Sequence, residues 1–223
     1  MLVCDGRPLE LAAHLARLGA SVARLYGIPD IAGVEDLLVD HARGMRLGRL
    51  RVTATPNSGG NLMTDLRRAP VPDALVFPAF SHAVRLRPLT VEHGLGPHKW
   101  ADRRILEEAD DGDAVPLVVD AEGDVLEAAR ANVFVVEDGA VFTPGADGRI
   151  LPGVTRRRVL ELLPVHEEAI SLDRLVAADE VFLTGSVRGI EPVRHCDGVG
   201  TWPEGTVTTR VADGLRRLWE MDR

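Results

Sequence analysis

The sequence predicts an α+β fold in two parts. Three observations carry this: stretches with helical spacing alternate with short runs of strand alternation, the segment at 87–97 has no clear period, and the chain changes character beyond it. "RPLTVEHGLGP" holds two prolines and two glycines. A linker is therefore expected at 89–97, between a small α+β domain at 1–88 and a larger, strand-rich domain at 98–223.

In the first part Pro8 opens a stretch where Leu11, Leu15, Leu18, Val22 and Leu25 recur at spacings of four and three, the mark of an amphipathic helix. His14, Arg17 and Ser21 share a second face of it. A further helical stretch through Val34, Leu37, Leu38, His41 and Met45 ends at Gly48. "RLRVTAT" then alternates apolar and polar residues as a half-buried strand does, and "NSGG" turns the chain. "ALVFPAF" reads as another strand, pushed toward a sheet edge by Pro78.

In the second part "KWADRRILEEA" predicts a short helix, while "VPLVVD", "VLEAA", "NVFVV", "AVFTP" and "EVFLTG" predict strands. The Asp-Gly between "NVFVV" and "AVFTP" is a hairpin signal. Helices are expected at 154–163 and 206–221, the latter with Val207, Val211, Leu215 and Leu218 on one side.

A net charge of -8 speaks against nucleic acid and anionic membranes as partners, since both select basic surfaces. No apolar run approaches the ~20 residues that span a bilayer, and no signal-peptide layout is visible, so a cytoplasmic protein is the expectation. Cys4 and Cys196 are far apart and read as reduced thiols, and the histidines form no metal-ligand cluster, so no metal is expected.

Four features of the second part share a chemical logic. Lys99 is the one lysine beside 25 arginines. An arginine stays charged at any working pH, whereas a lysine amine of lowered pKa attacks a carbonyl carbon. Glu127 sits in the apolar run "VLEAARANVFVV", five residues before Asn132; it lies on an exposed face or, if buried, needs a cationic partner. In "ILPGVTRRRVLELL" a Pro-Gly turn leads into a helix whose first residues are Val154 and Thr155, and free amides at the positive end of a helix dipole suit a phosphate. "VFLTGSVRG" ends a strand with Thr184, Gly185 and Ser186, small residues whose amides and hydroxyls can hold phosphate oxygens. Each of the two phosphate signals taken alone is commonly just a turn.

In this order and spacing, "HKWADR", E-x-x-x-x-N-x-F, "LPGVTR" and "FLTGS" resemble the class IV aminotransferase family, the fold type IV pyridoxal-phosphate enzymes. "HLARL" at 14–18 is similar to the family's early helix motif, so the resemblance covers nearly the whole chain. It implies pyridoxal 5'-phosphate as cofactor, a small amino substrate and a homodimer. It further implies that Lys99 forms the Schiff base and moves protons at the substrate carbon, and that Glu127 keeps the pyridine nitrogen protonated. Arg17, Val154, Thr155 and Ser186 are implied as phosphate holders. Relative to the family pattern, roughly 25 to 30 residues forming short leading strands are expected to be missing before "MLVCDG", which enters mid-strand. Asp102 stands where the family commonly has Asn.

Cofactor residues do not select the substrate. The Gly-rich turn after "RLRVTAT", and the lack of a clear counterpart to extended carboxylate-binding loops, tip the resemblance toward 4-amino-4-deoxychorismate lyase. A D-amino-acid or branched-chain transaminase is the alternative, and a truncated, non-catalytic relative the second one. Arg85, Arg87 and Arg188 are candidate carboxylate contacts, but solvated surface arginines are the favoured reading.

Overall fold

The computed structural model describes residues 1 to 221, in two compact units. The first holds Met1–Val76 together with the chain from Trp219. Its elements are β1 (Leu2–Cys4), β2 (Arg7–Pro8), α1 (Leu11–Tyr26), α2 (Val34–Ala42), β3 (Leu47–Pro56) and β4 (Leu62–Pro70). The strands form one antiparallel sheet in the order β2-β1-β3-β4. Leu11, Leu15 and Leu18 of α1 and Val34, Leu38 and Ala42 of α2 pack with Val3 and Leu50 of the sheet into one apolar cluster. Leu38 is fully buried, which is worth about 1.5–3 kcal/mol relative to exposure.

Three expectations for this unit change. Pro8 lies in β2 rather than at a helix start, because the chain first pairs back on β1. The second helix stops at Ala42, leaving Met45 beyond it. The turn after β3 returns as β4, whose sequence "LMTDLRRAP" is too polar to show as a strand on its own, yet it pairs along the length of β3 from Gly48↔Pro70 to Pro56↔Leu62.

The second unit, Phe77–Leu218, opens with residues expected as a strand. Instead "ALVFPAF" runs from one single 3-10 turn, Asp73–Leu75, through bends at Val76 and Phe77 into another, Phe80–His82, and Phe77 adopts a left-handed φ of 51° that no strand accommodates. The remaining elements are β5 (Val84–Thr90), α3 (Arg104–Ala109), β6 (Val115–Val119), β7 (Val125–Ala128), β8 (Ala131–Glu137), β9 (Ala140–Thr143), α4 (Val154–Leu162), β10 (Val165–Glu167), α5 (Leu172–Ala177), β11 (Glu180–Gly185), β12 (Gly189–Cys196), β13 (Gly200–Thr201) and α6 (Thr206–Met221). β5 corrects the expected linker. Residues 84–90 pair with β6 and β12, so the irregular chain is confined to the stretch after Thr90. The chain divides at Val76, well before the expected linker.

The pairings β8-β11-β12-β5-β6-β7 return to β8 and close a barrel, with β9 and β10 extending from the far end of β8. Closure leaves the ring without an open edge. Because strand side chains alternate in direction, Val133 and Val135 of β8 and Val181 and Leu183 of β11 join the interior cluster. Their neighbours Asn132, Phe134, Phe182 and Thr184 face outward, where α4 lies against β11 and the rings of Phe134 and Phe182 stack at 5.0 Å. No described helix is long and apolar enough to cross a membrane.

Candidate active site

Glu127, Asn132 and Thr184 are direct partners across β7, β8 and β11, so they form one row on the outward face of the barrel. All three are buried, at 5%, 3% and 2% exposure. The five-residue spacing of Glu127 and Asn132 is the span of the β7-β8 hairpin, which places the two residues side by side.

Both hold the same backbone unit. Glu127 Oε1 accepts the Leu151 amide at 3.2 Å, and Asn132 Nδ2 donates to the Leu151 carbonyl at 2.9 Å. The "LPGVT" loop is thereby fixed to the barrel just before α4. Gly153 completes the clamp: a Cβ there would stand 2.0 Å from Asn132 Oδ1, so the loop passes Asn132 only as glycine. Of the two readings open for Glu127 the structure takes the buried one, with this amide among its partners.

The loop delivers the start of α4. Val154 and Thr155 are buried in its first turn, and N-cap Gly153 offers no side chain to the leading amides. Thr155 Oγ1 lies 3.5 Å from Ser186 Oγ, so the helix start and the β11-β12 turn meet through two hydroxyls. Thr184 Oγ1, two residues before Ser186, is buried and has no hydrogen-bond partner among the described residues. A buried hydroxyl left unsatisfied costs about 1–3 kcal/mol, which a ligand oxygen at this place would recover.

Lys99 is exposed, on irregular chain five residues before α3 rather than inside the expected helix. Its segment is tied down on both sides. The Gly96 amide donates to the Arg149 carbonyl at 3.1 Å, two residues before Leu151. The Arg103 guanidinium donates to the Ala129 carbonyl, in the turn between Glu127 and Asn132. Lys99 thus sits on a bridge between the two pieces of chain that the Glu127–Leu151–Asn132 clamp joins. Arg17 lies half-buried on α1, in the other unit.

Residues 1–196 match the family model described as amino-transferase class IV. The chain belongs to the class IV aminotransferase family. Membership carries pyridoxal phosphate as cofactor and places the chain among pyridoxal-phosphate-dependent enzymes. The branched-chain-amino-acid aminotransferase of Salmonella typhimurium is 39% identical over 110 residues, which are 46% of this chain and 36% of that enzyme. The chain therefore aligns with only about a third of that relative's length. The solved structure of 4-amino-4-deoxychorismate lyase from Pseudomonas aeruginosa covers 97% of the chain and is itself covered to 88%, with 29% identity and a TM-score of 0.75. A Mycobacterium tuberculosis structure titled a hypothetical aminotransferase in PLP-bound form covers 100% of the chain, and 87% of it is covered, with TM-score 0.80 and 23% identity, a likeness of fold.

The residues present fit the family's cofactor. Its phosphate needs hydroxyls and free amides, and Thr155, Ser186 and the first turn of α4 offer them. Its ring nitrogen needs a carboxylate, and Glu127 is the carboxylate on the row. Sequence reasoning named Thr184 for its hydroxyl but not its place beside Asn132 in this row, and it missed the arginine-binding Glu191. Strand register is the signal that finds both.

Two of the candidate substrate arginines are spoken for. Arg85 and Arg87 share Asp197 and are further paired with Asp113 and Asp111, so they are surface arginines engaged with aspartates, the favoured of their two readings. Arg188 is paired with the buried Glu191.

Proposed function

We propose that this chain catalyses a pyridoxal-phosphate-dependent reaction at an amine-bearing carbon, with conversion of 4-amino-4-deoxychorismate to 4-aminobenzoate and pyruvate as the leading reading. The observation that carries the site is the clamp of Glu127 and Asn132 on Leu151, which sets a buried carboxylate beside the helix start that presents Thr155. The lyase reading is supported by the 29% identity to the Pseudomonas lyase, which extends over 97% of the chain.

Bound pyridoxal phosphate supplies an aldehyde that takes up the substrate amine and a ring that draws electrons from the adjacent bond. The chain's own residues do the rest. Val154, Thr155, Ser186 and Arg17 hold the phosphate, the first three from the α4 start and the β11-β12 turn. Glu127 keeps a proton on the ring nitrogen, and its bond to the Leu151 amide fixes the direction from which it does so. Lys99 anchors the cofactor and takes the proton from the amine-bearing carbon; the carbon–oxygen bond at the neighbouring ring carbon breaks as the substrate ring becomes aromatic, and the enolpyruvate released takes up a proton to become pyruvate. A homodimer in the cytoplasm belongs to the same proposal, on the family resemblance.

The second reading is an aminotransferase, favoured by the higher identity, 39%, of the shorter match to the branched-chain enzyme. Incubation with 4-amino-4-deoxychorismate separates the two. Pyruvate released without any keto acid supports the lyase, and pyruvate released only with an added keto acid sinks it. Borohydride reduction after loading with pyridoxal phosphate should place the pyridoxyl mass on the Lys99 peptide. A Lys99→Ala chain should gain no such mass and lose turnover by at least about 1,000-fold, a loss typical of removing a covalent nucleophile.

A further inference from the structure

We infer that Arg130 and Arg188, held as a pair by Glu191, form a seat for a carboxylate of the substrate; this rests on the pyridoxal-phosphate reading of the neighbouring site. Glu191 is buried at 1% exposure on β12, opposite Leu183 and hence on the interior side of the barrel wall. Its Oε1 accepts from Arg130 Nη2 at 3.0 Å and from Arg188 Nη1 at 3.1 Å. Two guanidiniums thus share one carboxylate, which leaves one positive charge in excess. Among the described residues no other carboxylate is paired with either arginine.

Like charges gathered at one place call for anions, and a second carboxylate would neutralise the cluster. The arginine side chains remain 38% and 31% exposed, so donors that Glu191 does not use are open to solvent. A guanidinium fork matches a carboxylate in shape as well as charge.

Both arginines stand on turns that adjoin the strands of the Glu127, Asn132 and Thr184 row. Arg130 sits in the β7-β8 turn two residues before Asn132, and Arg188 lies two residues after Ser186. The two turns adjoin, since a Cβ on Gly185 would come within 3.8 Å of the Arg130 carbonyl oxygen. Arg188 is also braced from behind. Phe77 donates its amide to the Arg188 carbonyl at 2.8 Å, and the Phe77 ring fills the space of any side chain at residue 189, 2.4 Å from where a Cβ would stand. A strained Phe77 and a glycine at 189 are what this close contact requires.

The seat selects an amine that carries a carboxylate over a neutral one. Calorimetry with 4-aminobenzoate as probe and 4-aminobenzamide as its uncharged control tests this. The wild-type chain should bind the acid more tightly than the amide. Arg130→Met and Arg188→Met should each weaken acid binding about 10- to 100-fold and leave the amide unchanged, with Arg188→Lys recovering part of the loss. Acid and amide bound alike by the wild type, or acid binding unchanged in both Met variants, overturns the seat. Should the Met variants fail to fold, Glu191→Gln decides: it keeps an acceptor while removing the negative charge, so it should tighten acid binding, and weaker binding overturns the inference. Pyridoxal phosphate uptake by the same samples, read from its absorbance, keeps the two ideas apart. If the wild type takes up none while carboxylate binding still depends on the arginines, the cofactor reading fails and the seat stands.

Discussion

Two pairs of arginines in the barrel unit show how little residue type says by itself. Arg85 and Arg87 on β5 face three aspartates: Arg85 meets Asp197 and Asp113 at 2.7 and 2.6 Å, and Arg87 meets Asp197 and Asp111 at 3.0 and 2.5 Å. Their positive charge is more than balanced, at the surface. Arg130 and Arg188 face one buried glutamate and are left with charge to spare. The first pair is saturated, and the second can bind. The difference lies in the counter-charge and its burial, neither of which is visible around an arginine in the sequence.

Breaking the buried member of this comparison should have the largest effect. Glu191→Leu removes the anion between two guanidiniums and should cost about 3 kcal/mol, read from urea unfolding, because charges left unpaired in a part-buried setting are the expensive case. Glu180 offers a buried carboxylate of another use. It accepts the Val207 and Thr208 amides and the Thr208 hydroxyl, capping the start of α6. Glu180→Ala should cost about 2 kcal/mol in the same assay, the upper range for a lost helix cap.

The surface pair should respond far less at neutral pH. Asp197→Asn should lower the urea midpoint at pH 7 only slightly, since exposed ion pairs contribute little. That small difference should close in acid. Hydrogen bonds from Arg85 and then Arg87 hold the Asp197 carboxyl below its ordinary range, and the Ala114 amide, with Arg87, lowers Asp111 to about 2. Carboxyls lowered on folding stabilise fully above the ordinary carboxylate range, and that contribution is lost as pH falls toward 2. Urea midpoints between pH 4 and 2 should therefore fall in the wild type and fall less in Asp197→Asn. The smallest expected signal comes from the residue beside it. Burial pushes the Cys196 thiol up to about 12, so iodoacetamide should leave it unmodified in the folded chain at pH 8 and label it only once urea unfolds the protein.

What was legible in the sequence was local. The helices over α1, α4 and α6 and the strands β6, β7, β8, β9 and β11 carry their period within a few residues, and each formed close to its expected place. β4 and β5 did not announce themselves for different reasons: β4 is too polar to read as a strand although it is the hairpin partner of β3, and β5 is held by partners distant in the chain, Val193, His195 and Cys196 among them. "ALVFPAF" has strand composition yet bends, because Phe77 is drawn into the contact with Arg188 and Gly189. The helix expected to begin at Lys99 begins at Arg104, where the amide of Arg104 meets the Asp102 carboxylate.

The sequence by itself determined the chemistry available: one amine, one glutamate in an apolar strand, a helix start without a capping side chain, and the order that marks the family. Only the tertiary structure decided which of these groups cooperate. Barrel closure brings β7, β8 and β11 into register, so that Glu127, Asn132 and Thr184 stand in a row and Leu151 is held by two of them. Register and counter-charge are set by pairings between residues far apart in the chain, 61 positions for Arg130 with Glu191 and 112 for Arg85 with Asp197. Local periodicity and composition carry no information at that range.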